Sequence, residues 1–333
     1  MKSFFGADIG RVPFAGSARV LHGRGTLAKG LCPVASSRFE QDFGEDMRFD
    51  SLRALTSGGV LNQAKGPVAA IIAEDEVEVE STVRHHAEKG FRTILLFAPA
   101  ELELDDAVAA EVTRTDFPTL SPDAAPTIVN ALVPVLPRAT WLYYCYNAEY
   151  LFYPFSETRS VGEMLTFHAE ERRSSMLTYV IDLYAGDLGS AGNAVALRDA
   201  WFDEAGYYAR ARDGADGPKE RQLDFHGGLR WRFEEHIDEA RLRIDRIGIV
   251  RTAPGIKLLS DHTWSEEELN TYSCPWHHNL TAAIMSFRTA KALRTNPSSR
   301  RAIDTFRWRN SAAFEWRSQQ LLDLGFMETG QWF

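Results

Sequence analysis

Short apolar runs and amphipathic stretches alternate along the chain from Pro67 onward. Residues 68–73 (Val-Ala-Ala-Ile-Ile-Ala) predict a buried strand, and residues 75–89 predict a helix that ends before Gly90. Residues 93–97 (Thr-Ile-Leu-Leu-Phe) predict the next buried strand. A strand, a helix and a strand within about 30 residues form a βαβ unit. This pattern predicts an α/β fold with a mostly parallel sheet flanked by helices, of the Rossmann-like type.

The rest of the chain predicts further elements of the same two kinds. The expected strands are 108–115, 141–146, 177–184, 244–251 and 257–259, and the expected helices are 124–136, 161–173 and 281–293. Residues 185–221 are polar and rich in Gly and Asp, which predicts a long loop or an insertion. Loops of that length inside a compact domain are more often functional than accidental.

The composition along the chain divides it into three parts. Residues 1–62 combine many glycines with short apolar pieces, which predicts an N-terminal β-rich extension of short strands and turns. Residues 63–300 form the expected α/β domain. Residues 301–333, with several Trp, Phe and Leu side chains, predict a C-terminal helical segment that packs on this domain.

The overall composition excludes several classes of protein. The chain has 333 residues, of which 44% are hydrophobic, so it can bury a substantial core. Its net charge of −9 argues against nucleic-acid binding, which needs a basic face. Its three cysteines are odd in number and widely spaced, which favours a reducing compartment. No signal peptide and no apolar run of about 20 residues is visible, so we expect a cytoplasmic protein without a transmembrane segment. A peripheral contact with a membrane surface stays open.

Two polar residues, Asn147 and Glu149, follow the apolar run at 141–146. Open α/β sheets bind their ligands at the carboxyl ends of strands. In an extended chain the two side chains would project to one face, and hard cations accept amide and carboxylate oxygens as ligands. The alternative is that both side chains only satisfy the end of a strand.

Asp182 closes the predicted strand 177–184 and is the candidate general base. Partial burial would raise its pKa towards the useful range. Asp224 and Glu234 are competing candidates in less favourable positions. An acid at a strand end also commonly serves as a helix cap or a turn former.

Arg230 and Arg232 alternate with Trp231, so in an extended chain both guanidinium groups would face one way. Such groups suit the oxygens of a diphosphate. They would also suit a solvated face that pairs with Glu234 and Glu235.

His262 follows the predicted strand 257–259 and is a candidate metal or phosphate ligand, although a lone histidine is more often structural. Cys274, His277 and His278 lack the paired spacing of a zinc site, so zinc is not expected there.

Several motifs, taken in order, resemble those of family-2-type glycosyltransferases of the GT-A type. They are Glu74-Asp75 before a helix with His85-His86, Glu149-Tyr150-Leu151-Phe152-Tyr153-Pro154, Asp182-Leu183-Tyr184, Gly227-Gly228-Leu229-Arg230-Trp231-Arg232, Leu258-Leu259-Ser260-Asp261-His262 and Ser286-Phe287-Arg288. The chain departs from the family at Tyr146 and Ala148, which replace the two aspartates of its Asp-x-Asp motif. It also has Pro99 where the family usually has an acid or amide for the base.

The resemblance implies a GT-A-like, nucleotide-diphospho-sugar transferase fold and an inverting transfer of sugar from a nucleotide sugar to an undefined glycan or other acceptor. It implies catalytic roles for Asp182 and Glu149, binding of the nucleotide sugar by Tyr146, Asn147, Arg230 and Arg232, and a divalent metal held by Asn147, Glu149 and His262. The metal would be Mn²⁺ or Mg²⁺, and the degenerate Asp-x-Asp motif weakens the case for it. The alternative is a catalytically degenerate protein that binds nucleotide sugars or acts as a scaffold.

Overall fold

A computed structural model describes residues 47–272 and 279–333. The predictions for residues 1–46, and those for Cys274, His277 and His278, lie outside the described residues. In the described part of the chain, no helix is both long enough and apolar enough to cross a bilayer.

The described residues form strands and helices that alternate through the first half of the chain. The strands are β1 (Arg48–Phe49), β2 (Val68–Ile72), β3 (Thr93–Ala98), β4 (Thr113–Asp116), β5 (Trp141–Tyr146), β6 (Glu149–Phe152), β7 (Ser175–Ala185), β8 (Ala200–Asp203), β9 (Tyr208–Gly214), β10 (Gly217–His226), β11 (Asp245–Arg251), β12 (Ala282–Ser286) and β13 (Ser311–Ala313). The helices are α1 (Leu52–Ser57), α2 (Val79–Glu88), α3 (Asp106–Ala109), α4 (Ala124–Leu132), α5 (Val161–Glu170), α6 (Gly228–Arg232), α7 (Arg288–Thr295), α8 (Pro297–Ala302) and α9 (Ser318–Asp323).

The main sheet is mixed but mostly parallel. Its strand order is β1-β4-β3-β2-β5-β11-β7-β12-β6, and β8 and β13 extend it from β7. Strands β1, β4, β3, β2 and β5 run parallel to one another, as do β7 and β12. Strands β6 and β11 run antiparallel to their neighbours. The expected α/β class with a mostly parallel sheet is therefore confirmed.

Both faces of the central strands are covered, which explains their continuous apolar sequences. In β2, Val68, Ala70 and Ile72 face one apolar cluster, and Ala69 and Ile71 face the other. Helix α2 packs on the second cluster through Val79 and Val83. The central strands are therefore buried on both faces of the sheet.

Most central elements lie where the sequence predicts them, but four predictions are wrong. Within the predicted helix 281–293, residues 282–286 form β12; all five are buried, and so short an apolar run fits a strand as well as a helix. The predicted strand 257–259 is reduced to one isolated bridge. The predicted strand 108–115 overlaps the end of α3 and the start of β4. Residues 185–221, predicted to be a long loop or an insertion, are not a plain loop, because they contain β8 and most of the β9–β10 hairpin.

The two ends of the described chain pack on the main sheet. Strand β1, which lies in the predicted N-terminal extension, pairs with β4 as an edge strand of the sheet. In the C-terminal segment, Trp316 packs edge-on against Tyr150. That segment contains α9 and β13, with irregular structure between them.

Candidate functional site

The carboxyl ends of β2, β5, β7 and β12 share one edge of the sheet, and the antiparallel strands β6 and β11 begin there. This edge therefore brings together Asn147, Glu149, Asp182 and Arg246. The chain runs outward from β2 through β3 to β4 and then places β5 on the other side of β2. Such a switch in strand order is where open α/β sheets leave a crevice for ligands.

Asn147 lies in the turn between β5 and β6, and its side chain holds the loop after β2. Its Oδ1 accepts a hydrogen bond from the Glu74 amide at 3.0 Å. Its Nδ2 donates to Asp75 Oδ1 at 2.6 Å and to the Val77 carbonyl at 2.9 Å. The residue is completely buried, and both ends of its amide already bond to the protein.

Glu149, the first residue of β6, forms a buried ion pair with Arg246. Its Oε2 accepts from Arg246 Nη2 at 2.7 Å and from the Tyr146 amide at 2.9 Å, and its Oε1 accepts from Ser286 Oγ at 3.1 Å. Burial acts to raise the pKa of Glu149, but Arg246 and these hydrogen bonds outweigh it and hold the pKa below its ordinary value. Glu149 is therefore an ionised and satisfied carboxylate.

The expectation that Asn147 and Glu149 lie in one strand and share a face is wrong. Strand β5 ends at Tyr146, and Ala148 adopts a left-handed conformation (φ 59°) that turns the chain before β6 begins. The turn sends the Asn147 side chain towards the loop after β2 and the Glu149 side chain towards Arg246. Neither side chain faces open solvent.

The expected metal ligands do not fit a resident divalent cation. A metal on Glu149 would have to displace a guanidinium group, and the Asn147 oxygen is already a hydrogen-bond acceptor. In the described part of the chain, no group of three or more His, Cys, Asp or Glu residues is arranged to hold a metal ion. At this edge the Glu149 carboxylate is paired with an arginine rather than open to a cation.

His262 stacks on Tyr144 in a nearly parallel arrangement, with ring centroids 6.0 Å apart. Its Nδ1 lies 3.0 Å from the Tyr144 hydroxyl. Burial, followed by the nearby charges of Arg246 and Arg288, lowers the pKa of His262 to about 3. His262 is thus neutral and lies in a region of positive potential.

Arg230 and Arg232 lie on the short helix α6 rather than in an extended chain. Arg232 donates to Asp203 Oδ1 at 2.9 Å, and its guanidinium carbon lies 4.8 Å from the centroid of the Trp308 ring. Arg230 Nε lies 3.5 Å from Asp182 Oδ1. The two arginines consequently have different carboxylate partners, neither of which is Glu234 or Glu235.

Asp182 is buried in β7 and is poorly satisfied. Only 1% of it is exposed, and its carboxylate oxygens have no hydrogen bond of strict geometry, although the Thr289 side chain and the Arg230 backbone lie close enough to interact weakly with them. Burial raises the pKa of Asp182, and the Arg230 guanidinium together with the weak hydrogen bonds from Thr289 and the Arg230 backbone offsets this only in part. A Cβ on Gly228, which has φ +62°, would lie 3.0 Å from Asp182 Oδ2, so a glycine lets the backbone approach the carboxylate.

The competing acids are less suited to act as a base. Asp224 pairs with Arg212 at 2.7 Å and with Arg243 at 3.2 Å, and Glu234 is exposed. Asp182 and Glu149 each lie opposite Ser286 in the register of β12 with its two neighbours. The three polar side chains therefore form one row across β7, β12 and β6.

The structure adds to this edge five charged residues for which no site role was predicted from the sequence. Arg288 donates to both oxygens of Glu74 at 2.7 Å, and Lys291 Nζ lies 2.9 Å from both oxygens of Asp75. Arg246 also escaped notice, although an arginine within an apolar strand is a signal in itself, since arginine is rarely buried without a partner.

A cavity of about 570 Å³ lies elsewhere, at the amino ends of β3 and β4. Leu61, Ile94 and Val112 are among the residues that line it. None of the predicted site residues borders this cavity.

No protein-family model matches the chain. A search of curated proteins also finds no match.

Proposed function

We propose that the chain is a glycosyltransferase that transfers a sugar from a nucleotide sugar to a glycan or other acceptor with inversion. The observation that carries the proposal is the buried, poorly satisfied carboxylate of Asp182 at the carboxyl edge of the sheet. A carboxylate whose pKa is raised by burial is a stronger base than one in water.

In the proposed reaction, the acceptor hydroxyl oxygen attacks the anomeric carbon of the donor sugar. The hydroxyl proton passes to Asp182, and the bond between the anomeric carbon and the diphosphate oxygen breaks. Arg230, 3.5 Å from Asp182, helps to keep the carboxylate ionised before the proton arrives. The leaving diphosphate takes the bonding electrons, so its charge has to be stabilised by nearby cations.

The GT-A-like fold is part of this proposal. It is supported by the mostly parallel sheet and by the change of strand order between β2 and β5, which open α/β sheets use to form a ligand crevice. Tyr146 and Asn147 at the end of β5, with Arg230 and Arg232 on α6, border that edge. In this proposal Asn147 shapes the nucleotide site by fixing the loop after β2.

A second function is a protein that binds nucleotide sugars without turning them over. The observation that favours it is the engagement of Glu149 by Arg246, which removes that carboxylate from chemistry.

Hydrolysis of a panel of nucleotide sugars, with and without simple sugar acceptors, tests the first function. We expect turnover by the wild-type protein and a loss of about 100-fold or more in Asp182→Asn, the usual scale for a general base. The matched variant Asp224→Asn also removes one carboxylate charge and should retain activity. Equal losses in both variants would remove Asp182 from the mechanism, and binding without turnover would establish the second function.

A further inference from the structure

Two arginines from different elements, Arg246 in β11 and Arg288 at the start of α7, meet at the ring of Tyr146. The Arg288 guanidinium lies 3.7 Å from the ring centroid, and that of Arg246 lies 5.8 Å from it. Arg246 also lies 5.0 Å from the centroid of Tyr144. The aromatic rings therefore fix two positive charges beside the carboxyl end of β5, where a ligand crevice is expected.

The two arginines differ in what they leave free. The Nη2 of Arg246 donates a hydrogen bond to Glu149, but its Nε is buried and has no hydrogen-bond partner among the described residues. A buried donor without a hydrogen-bond partner on a guanidinium group lowers the stability of the folded state, so such donors are usually paired. An anionic oxygen placed at this donor would satisfy it.

Arg288 is occupied by a carboxylate of the protein itself. Glu74, in the loop after β2, accepts two parallel hydrogen bonds from it at 2.7 Å. A fork of this kind binds carboxylate and phosphate oxygens equally well in geometry. The side chain of Arg288 is 32% exposed, so solutes can reach this contact.

We propose that Arg246 and Arg288 form a site for a diphosphate group that needs no metal ion, and that Glu74 occupies Arg288 until the diphosphate displaces it. This inference rests on the proposed function only for the identity of the natural ligand, a nucleoside diphosphate. The arginines supply the positive charge that a metal would bring, while Glu149, the carboxylate expected to bind the metal, fixes Arg246. Glu74 acts as an internal competitor for the ligand.

Calorimetric titration with inorganic pyrophosphate in EDTA tests the proposal. We expect wild-type protein to bind and Glu74→Gln to bind about 10-fold more tightly, because the competing charge is gone. Glu80→Gln, which removes one charge from a carboxylate of α2 that is 42% exposed, should bind like the wild type. An affinity in Glu74→Gln that is unchanged or weaker would overturn the role of Glu74, and binding that requires Mn²⁺ would overturn the metal-free site.

The cations are tested with a matched pair on the two edges of the sheet. We expect Arg288→Gln to lose about 10-fold or more in pyrophosphate affinity. Arg251→Gln, at the opposite edge and exposed, should keep it. Thermal melts confirm that both variants fold, and a folded Arg288→Gln protein with wild-type affinity would contradict the proposal.

The two proposals fail separately. Tighter pyrophosphate binding by Glu74→Gln without turnover of any nucleotide sugar keeps the anion site and rejects the transferase. Turnover that depends on Asp182 and on Mn²⁺, with no effect of Glu74→Gln on pyrophosphate binding, keeps the transferase and rejects the metal-free site.

Discussion

Glu149 and Asp182 are two carboxylates at the same sheet edge with opposite environments. Both are 1% exposed, and both lie opposite Ser286 on β12. Glu149 accepts hydrogen bonds of good geometry on both oxygens, and its pKa is lowered. Asp182 has only weak interactions with Thr289 and the Arg230 backbone, and its pKa is raised. Burial is the same in both, so the partners decide the difference.

This difference separates a structural carboxylate from a candidate catalytic one. A buried acid with a full set of hydrogen-bond donors contributes to the stability of the fold only while its charged partner is present. A buried acid without such donors lowers the stability of the fold. Destabilising groups of this kind are found mainly at functional sites. The comparison therefore shifts the expected chemistry from Glu149 to Asp182.

The largest expected effect on stability, and so the strongest test of this comparison, is at the ion pair between Glu149 and Arg246. Arg246→Met leaves Glu149 charged and buried, so we expect a loss of about 3 to 5 kcal/mol in the free energy of unfolding. The double variant Arg246→Met/Glu149→Leu should recover most of that loss. Urea denaturation measures both, and a single variant within about 1 kcal/mol of wild type would show that the pair is not a structural unit.

Buried histidines allow the same comparison for basic side chains. Their expected effect on the free energy of unfolding is the next largest. Burial lowers the pKa values of His86 and His168 to about 4, and the folded protein holds both rings neutral. Because the unfolded chain takes up these protons near pH 6.5, stability is full above that pH and is lost as the pH falls towards 4. Each ring accounts for at most about 3 kcal/mol. We expect His168→Gln to flatten the pH dependence of urea unfolding; an unchanged slope would contradict the assignment.

Asp182 should show the opposite sign. Its raised pKa means that stability falls as the pH rises above the ordinary value for an aspartate. We therefore expect Asp182→Asn, while losing activity, to gain about 1 kcal/mol in the free energy of unfolding at pH 7. The gain should vanish in acid, where both versions are neutral. A loss of stability at pH 7 would show that the Asp182 carboxylate is satisfied after all.

An exposed pair of the same chemistry gives the smallest effect. Arg84 and Glu80 pair on the surface of α2. We expect Glu80→Gln to change the free energy of unfolding by less than about 0.5 kcal/mol. A loss as large as that of Arg246→Met would show that burial does not distinguish the two pairs.

The sequence predicted the α/β class and the shared sheet edge because buried parallel strands are continuous apolar runs. It did not predict the turn at Ala148, since nothing in the run from Tyr146 to Glu149 requires a left-handed residue. Nor could the sequence show that Glu149 forms an ion pair with Arg246, which lies 97 residues away along the chain. Pairing across the sheet depends on strand order, and β12 was itself mistaken for part of a helix.

The most direct test is a crystal structure of the protein soaked with a nucleoside diphosphate in the presence of EDTA. We predict the diphosphate at the carboxyl edge between β2 and β5, with its oxygens about 3 Å from nitrogens of Arg246 and Arg288 and with Glu74 released from Arg288. A ligand bound instead in the cavity beside Leu61 and Ile94, or bound nowhere, would contradict this account.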